Sequence, residues 1–269
     1  MSNRRISRLA LTVLAVCAMI FIYMPIAMLV LFSFNDSPFV AFPMSGFTTR
    51  WYTDLFADRR IIGSVWNSLF VGGVSTAIAT VAGTCAAFAM ARVSFRGKTL
   101  VRIIIILPLM IPSIMLGLSL LSVFVQLHIH RSLVTVILGY CTFTTSFVTL
   151  VVGASLHNLD PSLEEAARDL YARPTGVFFR VTLPLIAPGV IAGALFAFTL
   201  AFDEYVIAFL NSGTQETIPL VIMGMMKYGL SPKINALAAL IYAASFLLAV
   251  VASTVLLRRG RLRRPAPAA

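Results

Sequence analysis

Charge is scarce in this sequence. Only 12% of its 269 residues are Asp, Glu, Lys or Arg, against 59% hydrophobic, and the mean hydropathy is +0.94. A soluble domain is about one-quarter charged, so an ordinary water-soluble enzyme is excluded. Acid is scarcer than base, with 10 Asp and Glu against 21 Lys and Arg. The three cysteines, Cys17, Cys85 and Cys141, all lie in apolar runs, which leaves no disulfide framework for an exported loop. The three histidines, His128, His130 and His157, fall at loop edges and read as solvated. The sequence has no H-E-x-x-H zinc site, no G-x-S-x-G nucleophile and no G-x-x-x-x-G-K-[ST] phosphate loop. No catalytic residue, metal ligand or cofactor site of the chain's own is therefore expected, and no repeat of 20–50 residues points to a solenoid.

Long apolar runs are present instead, at 9–33, 62–90, 101–126, 132–155, 185–210 and 234–257. A helix crossing a ~30 Å hydrocarbon core needs about 20 apolar residues, and none of the runs alternates as a barrel strand does. The expected fold is an all-α integral membrane protein with six transmembrane helices. Arg4, Arg5 and Arg8 precede the first run as in a signal peptide. That run exceeds a signal h-region, however, and no A-x-A cleavage site follows, so an uncleaved first helix is expected.

Basic residues orient the spans. With the N-terminus inside, fifteen Lys and Arg fall in cytoplasmic segments and six outside. Both termini are then cytoplasmic. The expected organisation is an N-terminus at 1–8, the first span at 9–33, a periplasmic loop at 34–61, a core membrane domain at 62–257 and a basic tail at 258–269. Arg258–Arg264 reads as an anchor at anionic lipid heads rather than a nucleic-acid site.

Two loops have helical character. The outer one contains Thr49–Asp58, with Trp51 and Tyr52. The longest inner one, 156–184, has Asp160-Pro161-Ser162 ahead of the helix formers Glu164–Leu170, after which Pro174 and Gly176 are expected to interrupt. A short amphipathic helix is expected on the cytoplasmic face between spans four and five.

Asp203 and Glu204 are the only charges well inside an expected span, and no Lys or Arg shares their depth, ~28 Å along span five from Pro184. A carboxylate there costs about 2.5–3.5 kcal/mol on insertion scales. A substrate ammonium, a partner residue or vestibule water could compensate it, or the span could end early. Neighbours on a helix point about 100° apart, so one acid faces the path more directly, with Asp203 on a stripe with Phe196, Leu200 and Ile207. Gly72, Gly73 and Gly83 read as close-packing points, and Pro108 and Pro112 as kinks in span three.

Glu165-Ala166-Ala167, with Tyr171 four residues after Ala167 and Val181-Thr182-Leu183-Pro184 beyond, resembles the E-A-A-x3-G-x9-I-x-L-P signature of membrane subunits of binding-protein-dependent ABC importers. Val181 replaces isoleucine, and Tyr171 stands where that family has glycine, which puts the local turn in question. Ser33–Ser37, Gly46-Phe47-Thr48, Trp51-Tyr52, Phe202–Val206 and Ser231–Leu237 are similar to the polyamine branch, specifically the second permease subunit of spermidine/putrescine importers. The resemblance implies a type I ABC importer permease fold in a bacterial inner membrane. It also implies a second permease subunit forming a heterodimer, two ATPase subunits using ATP and Mg, and a periplasmic solute-binding protein. It assigns coupling to the ATPases to Glu164, Glu165, Ala166, Ala167, Asp169, Tyr171, Gly176, Leu183 and Pro184. Asp203, Glu204 and Tyr205 are expected on the translocation path, and Trp51 and Tyr52 either contact the binding protein or sit at the membrane interface. A permease for another small cationic or amine solute, or a secondary carrier or channel for organic cations, remains an alternative.

Overall fold

The structure is a computed structural model. It describes residues 2–39, 43–227, 229 and 231–261, without the side chains of 2–9, 248–249 and 251–261. Most of the tail expected at 258–269 lies outside the described residues, as do the side chains of its first four positions. Among the described residues the fold is helical, with one isolated bridge between Asn35 and Phe47. In chain order the helices are α1 (Ser2–Phe32), α2 (Arg50–Ala57), α3 (Arg59–Arg92), α4 (Lys98–Met110), α5 (Ser113–Gln126), α6 (Leu133–His157), α7 (Ser162–Asp169), α8 (Pro174–Val177), α9 (Leu183–Asp203), α10 (Val206–Asn211), α11 (Ile218–Met226) and α12 (Pro232–Arg261). A π-turn at Phe178–Thr182 joins α8 to α9.

Among the described residues, four stretches are long and apolar enough to cross a membrane: Ala10–Phe32, Arg59–Arg92, Leu133–His157 and Pro174–Asp203. The bent pair α4–α5 makes a fifth if taken as one span, and Pro232–Leu247 is a shorter apolar helix.

Two expected spans are differently built. Span three is not one kinked rod, because α4 and α5 meet at 108° across Ile111–Pro112. Proline clashes with a helical residue before it, and Ile111 is extended, with φ −86° and ψ 128°. Pro108 stays inside α4. Span five, expected to run to 210, stops at Asp203, because Glu204 is extended at ψ 110° before α10 begins. Ile207 therefore leaves the stripe shared with Phe196 and Leu200.

The chain divides into two compact units, 63–221 and the pairing of 1–62 with 222–269. In the first, α6 is the spine. Its Val136, Ile137 and Tyr140 pack with Val71, Ala201 and Ile207, while Val148, Val152 and Leu156 pack with Ala79, Ala87, Ile186 and Ala197. Ser132 caps α6, accepting from the Val134 N–H, while its own N–H donates to Thr135 Oγ1. Thr142, Thr144, Ser146, Thr149 and Ser155 each donate to the carbonyl four residues earlier. Those hydroxyls are thereby satisfied inside an apolar helix. Close approach sets the neighbours. A Cβ on Gly83 of α3 would lie 2.8 Å from Val148 Cβ, and one on Gly189 of α9 would overlap Ser155 Oγ. A Cβ on Gly72 would lie 3.3 Å from the Phe198 ring, whereas one on Gly73 would meet open space.

In the second unit, Trp51 Nε1 donates to the Asn35 carbonyl at 2.7 Å, and the Tyr52 hydroxyl lies 2.7 Å from Ser33 Oγ. These bonds fasten α2 to the end of α1. Lys233 at the start of α12 pairs with Asp58 at 2.8 Å. The Lys233 hydrogen bond and charge, with the Ile61 and Arg60 N–H groups, hold the Asp58 carboxyl below its usual range.

Candidate functional site

Two places in the 63–221 unit gather the sequence-derived residues. The first is the connection between α6 and α9. Asp160 Oδ1 accepts from the Ser162 N–H at 3.0 Å ahead of α7. That bond, reinforced by the Ser162 hydroxyl, holds the Asp160 carboxyl below its usual range. The eight-residue α7 then divides its acids between two faces. Glu165, Ala166 and Asp169 are exposed and Ala167 is half-buried. Glu164 turns inward and is 3% exposed. Its Oε2 accepts from Arg92 Nε at 2.8 Å and its Oε1 from Thr182 Oγ1 at 2.9 Å. The end of α3, α7 and the π-turn thus share one carboxylate.

α7 ends in the left-handed turn that the usual glycine serves. Tyr171 has φ +59°. Its N–H donates to the Arg168 carbonyl at 2.9 Å, and the Ala172 N–H to the Ala167 carbonyl at 3.2 Å. This is the two-bond closure of a Schellman motif, in which a side chain with a Cβ carries a steric penalty of about 1–2 kcal/mol. The turn survives the substitution, and the Tyr171 ring is 97% exposed beside Leu170 at 83%. Pro174 and Gly176 do not interrupt the helix as expected. Pro174 opens α8, where its missing N–H leaves no intrahelical partner wanting, and Gly176 lies within that helix. Leu183 packs against the lower α6 cluster, and Pro184 is exposed.

The second place is the break between α9 and α10. Asp203 ends α9 with an exposed side chain, and no Lys or Arg pairs with it among the described residues. Glu204 is fully engaged. Its Oε1 accepts the Val206 and Ile207 N–H groups at 2.9 and 3.2 Å, capping α10, and its Oε2 accepts from Ser113 Oγ at 3.2 Å. The Tyr140 hydroxyl donates to the Glu204 backbone carbonyl. Tyr205 is half-buried and stacks on Phe209, with 5.5 Å between ring centroids. Asn211 Nδ2 donates to the Gly117 carbonyl at 3.3 Å, and Thr135 Oγ1 donates to the Asn211 carbonyl at 2.8 Å, pinning α10 to α5 and α6. The arrangement offers one free carboxylate beside a break whose other acid, Glu204, is hydrogen-bonded through both carboxylate oxygens. It brings no nucleophile and base together.

Arg92, Thr182, Ser113 and Tyr140 were not singled out from sequence. In the sequence Arg92 is one of several basic residues between the second and third apolar runs, and Thr182 sits inside the matched motif at a variable position. Ser113 is recognisable only once Pro112 is known to start a new helix. Trp51 and Tyr52 lie in the other unit, where their polar atoms bond within it.

The family model described as binding-protein-dependent transport system inner membrane component matches residues 79–261. The putrescine transport system permease protein PotI of Escherichia coli (strain K12) is 39% identical over 251 residues, covering 90% of this chain and 89% of that protein. The spermidine/putrescine transport system permease protein PotC of the same organism is 35% identical over 239 residues, covering 88% and 90%. Among solved structures, a bacterial ABC transporter involved in the import of the acidic polysaccharide alginate superposes with a TM-score of 0.73 at 16% identity, covering 96% of this chain and 98% of that one. A second structure of a bacterial alginate ABC transporter, in complex with a periplasmic protein carrying an alginate pentasaccharide, gives 0.68 at 19%, covering 97% and 95%. At these identities the structures speak to the fold, which is that of an ABC importer permease. The family match over most of the chain and the two relatives go further: this chain belongs to the binding-protein-dependent transport system inner membrane components, a transport subunit and not an enzyme.

Proposed function

We propose that the chain is one permease subunit of an ATP-driven polyamine importer in a bacterial inner membrane. It pairs with a second permease subunit, two ATPase subunits that use ATP and Mg, and a periplasmic solute-binding protein. The six-span arrangement with both termini cytoplasmic belongs to the same reading. It puts α7 on the cytoplasmic side, where Glu165, Ala166, Asp169 and Tyr171 present an exposed surface to the ATPase. It puts the α2 loop, with Trp51 and Tyr52, on the side of the binding protein.

The substrate class rests on Asp203. Its carboxylate is exposed at the end of an apolar helix and unpaired among the described residues, while the adjacent Glu204 is committed to capping α10. A free negative charge on a membrane path favours a cationic solute over an anionic one. The named relatives carry putrescine and spermidine, which agrees in sign. The alginate transporter of the same fold imports an acidic polysaccharide, so the fold alone does not choose the solute. Uptake of labelled putrescine and spermidine into proteoliposomes holding the whole complex tests this. Asp203→Asn is expected to raise the KM for uptake at least tenfold with the complex intact. Unchanged kinetics at every concentration would remove Asp203 from the path.

A further inference from the structure

We propose that Glu164, Arg92 and Thr182 form an internal latch that sets the rotation of α7 and ties it to α3 and α9. On this account Glu164 is a positioning residue and not a contact to the ATPase. The inference rests on the reading of α7 as the coupling helix.

The geometry distinguishes Glu164 from every other acid in the loop. Its side chain is 5% exposed and that of Arg92 18%, so the pair is withdrawn from solvent. Both carboxylate oxygens are engaged, one by a cation at the end of α3 and the other by the hydroxyl of Thr182. Thr182 is itself fully buried at the last position of the π-turn. Neighbouring residues on a helix point about 100° apart, so fixing Glu164 inward fixes Glu165 outward. α7 has only eight residues and its mean character is polar, and a helix this short does not hold its orientation by itself. The buried ion pair supplies what apolar packing does not. Separation of such a pair leaves a charge buried without its partner, so rotations of α7 that would part Glu164 from Arg92 are penalised. Arg92 Nη2 is also shut off from solvent without an acceptor, so the guanidinium has no second carboxylate to turn to among the described residues. Movement of α7 is therefore delivered to two long apolar helices through one side chain.

The test uses the assembled importer in proteoliposomes and reads solute taken up per ATP hydrolysed. Glu164→Gln and Arg92→Met are each expected to leave ATP hydrolysis at or above the wild-type rate while uptake per ATP falls at least tenfold. The charge-exchanged pair R92E/E164R is expected to recover most of that ratio, which a general loss of folding would not do. A wild-type ratio in both single variants would overturn the latch. If neither assembles, Thr182→Val keeps the ion pair and removes one hydrogen bond. It is then expected to lower the ratio about threefold, and an unchanged ratio overturns the proposal. Glu165→Lys serves as the control for the underlying reading. If Glu165→Lys uncouples and Glu164→Gln does not, only the latch falls. If Glu165→Lys leaves coupling intact, the assignment of α7 itself falls.

Discussion

Glu164 and Glu204 are each half of an adjacent acidic pair, and each turns its carboxylate into the fold while its neighbour, Glu165 or Asp203, stays exposed. The bonding differs. Glu164 is neutralised by a full positive charge, Arg92, plus one hydroxyl. Glu204 meets no cation among the described residues; it accepts two backbone N–H groups at the start of α10 and the hydroxyl at the start of α5. Neutral donors and the positive ends of two helices do there what a guanidinium does at α7. The α9–α10 break thus keeps its net negative charge, while the α7 anchor is electrically closed. On the function proposed above, a site that attracts a cation and a joint that transmits motion would call for opposite solutions, and the bonding of the two glutamates differs in that sense.

The largest effect that would break this contrast is at α7. Glu164→Ala strands Arg92 and is expected to destabilise the protein by about 3 kcal/mol, read as a fall in thermal unfolding temperature in detergent. Glu165→Ala is expected to change stability by no more than ~0.5 kcal/mol. A similar loss from both would mean that the two acids are equivalent. At the break, Glu204→Ala removes the α10 cap without stranding a charge and is expected to cost about 1–2 kcal/mol. Asp203→Asn is expected to leave the unfolding temperature in place. Tyr171→Gly sharpens the picture of the α7 terminus. It relieves a left-handed residue and is expected to stabilise by about 1 kcal/mol, while losing the exposed ring. The smallest effect belongs to the partly exposed Asp58–Lys233 pair, for which Asp58→Asn is expected to cost below about 1 kcal/mol. Its carboxyl lies lower in the folded chain than in the unfolded one. The stabilisation is therefore complete above the ordinary aspartate range and is lost as pH falls through the folded value, so acid titrations of the variant and parent should begin to approach near the ordinary aspartate pKa of about 4 and meet only below the lower folded value.

Much of this was legible in the residues. The apolar runs located the long helices because backbone groups in hydrocarbon must bond within their own segment. Thr49–Asp58 read as helical and α2 occupies Arg50–Ala57. The E-A-A motif marked α7. The breaks were less legible. Pro112 was visible, but a bend of 108° depends on what α5 packs against and not on the proline alone. The end of α9 at Asp203 was hidden because Tyr205–Leu210 is as apolar as the helix before it. Only a side chain folding back to cap α10 reveals the stop. Which member of each acidic pair is engaged was likewise beyond the sequence, since Arg92 and Glu164 are 72 residues apart and Ser113 and Glu204 are 91.

The tight seats of Gly83 against Val148 and of Gly189 against Ser155 constrain how such a unit can move. With no Cβ at either contact, α3 and α9 mesh with α6 like teeth at fixed pitch, and axial sliding of one past another would drive side chains into backbone. Torque applied at the α6–α9 connection is therefore expressed as tilting of all three rods together, and the amplitude at the far end grows with their length rather than being lost as slip.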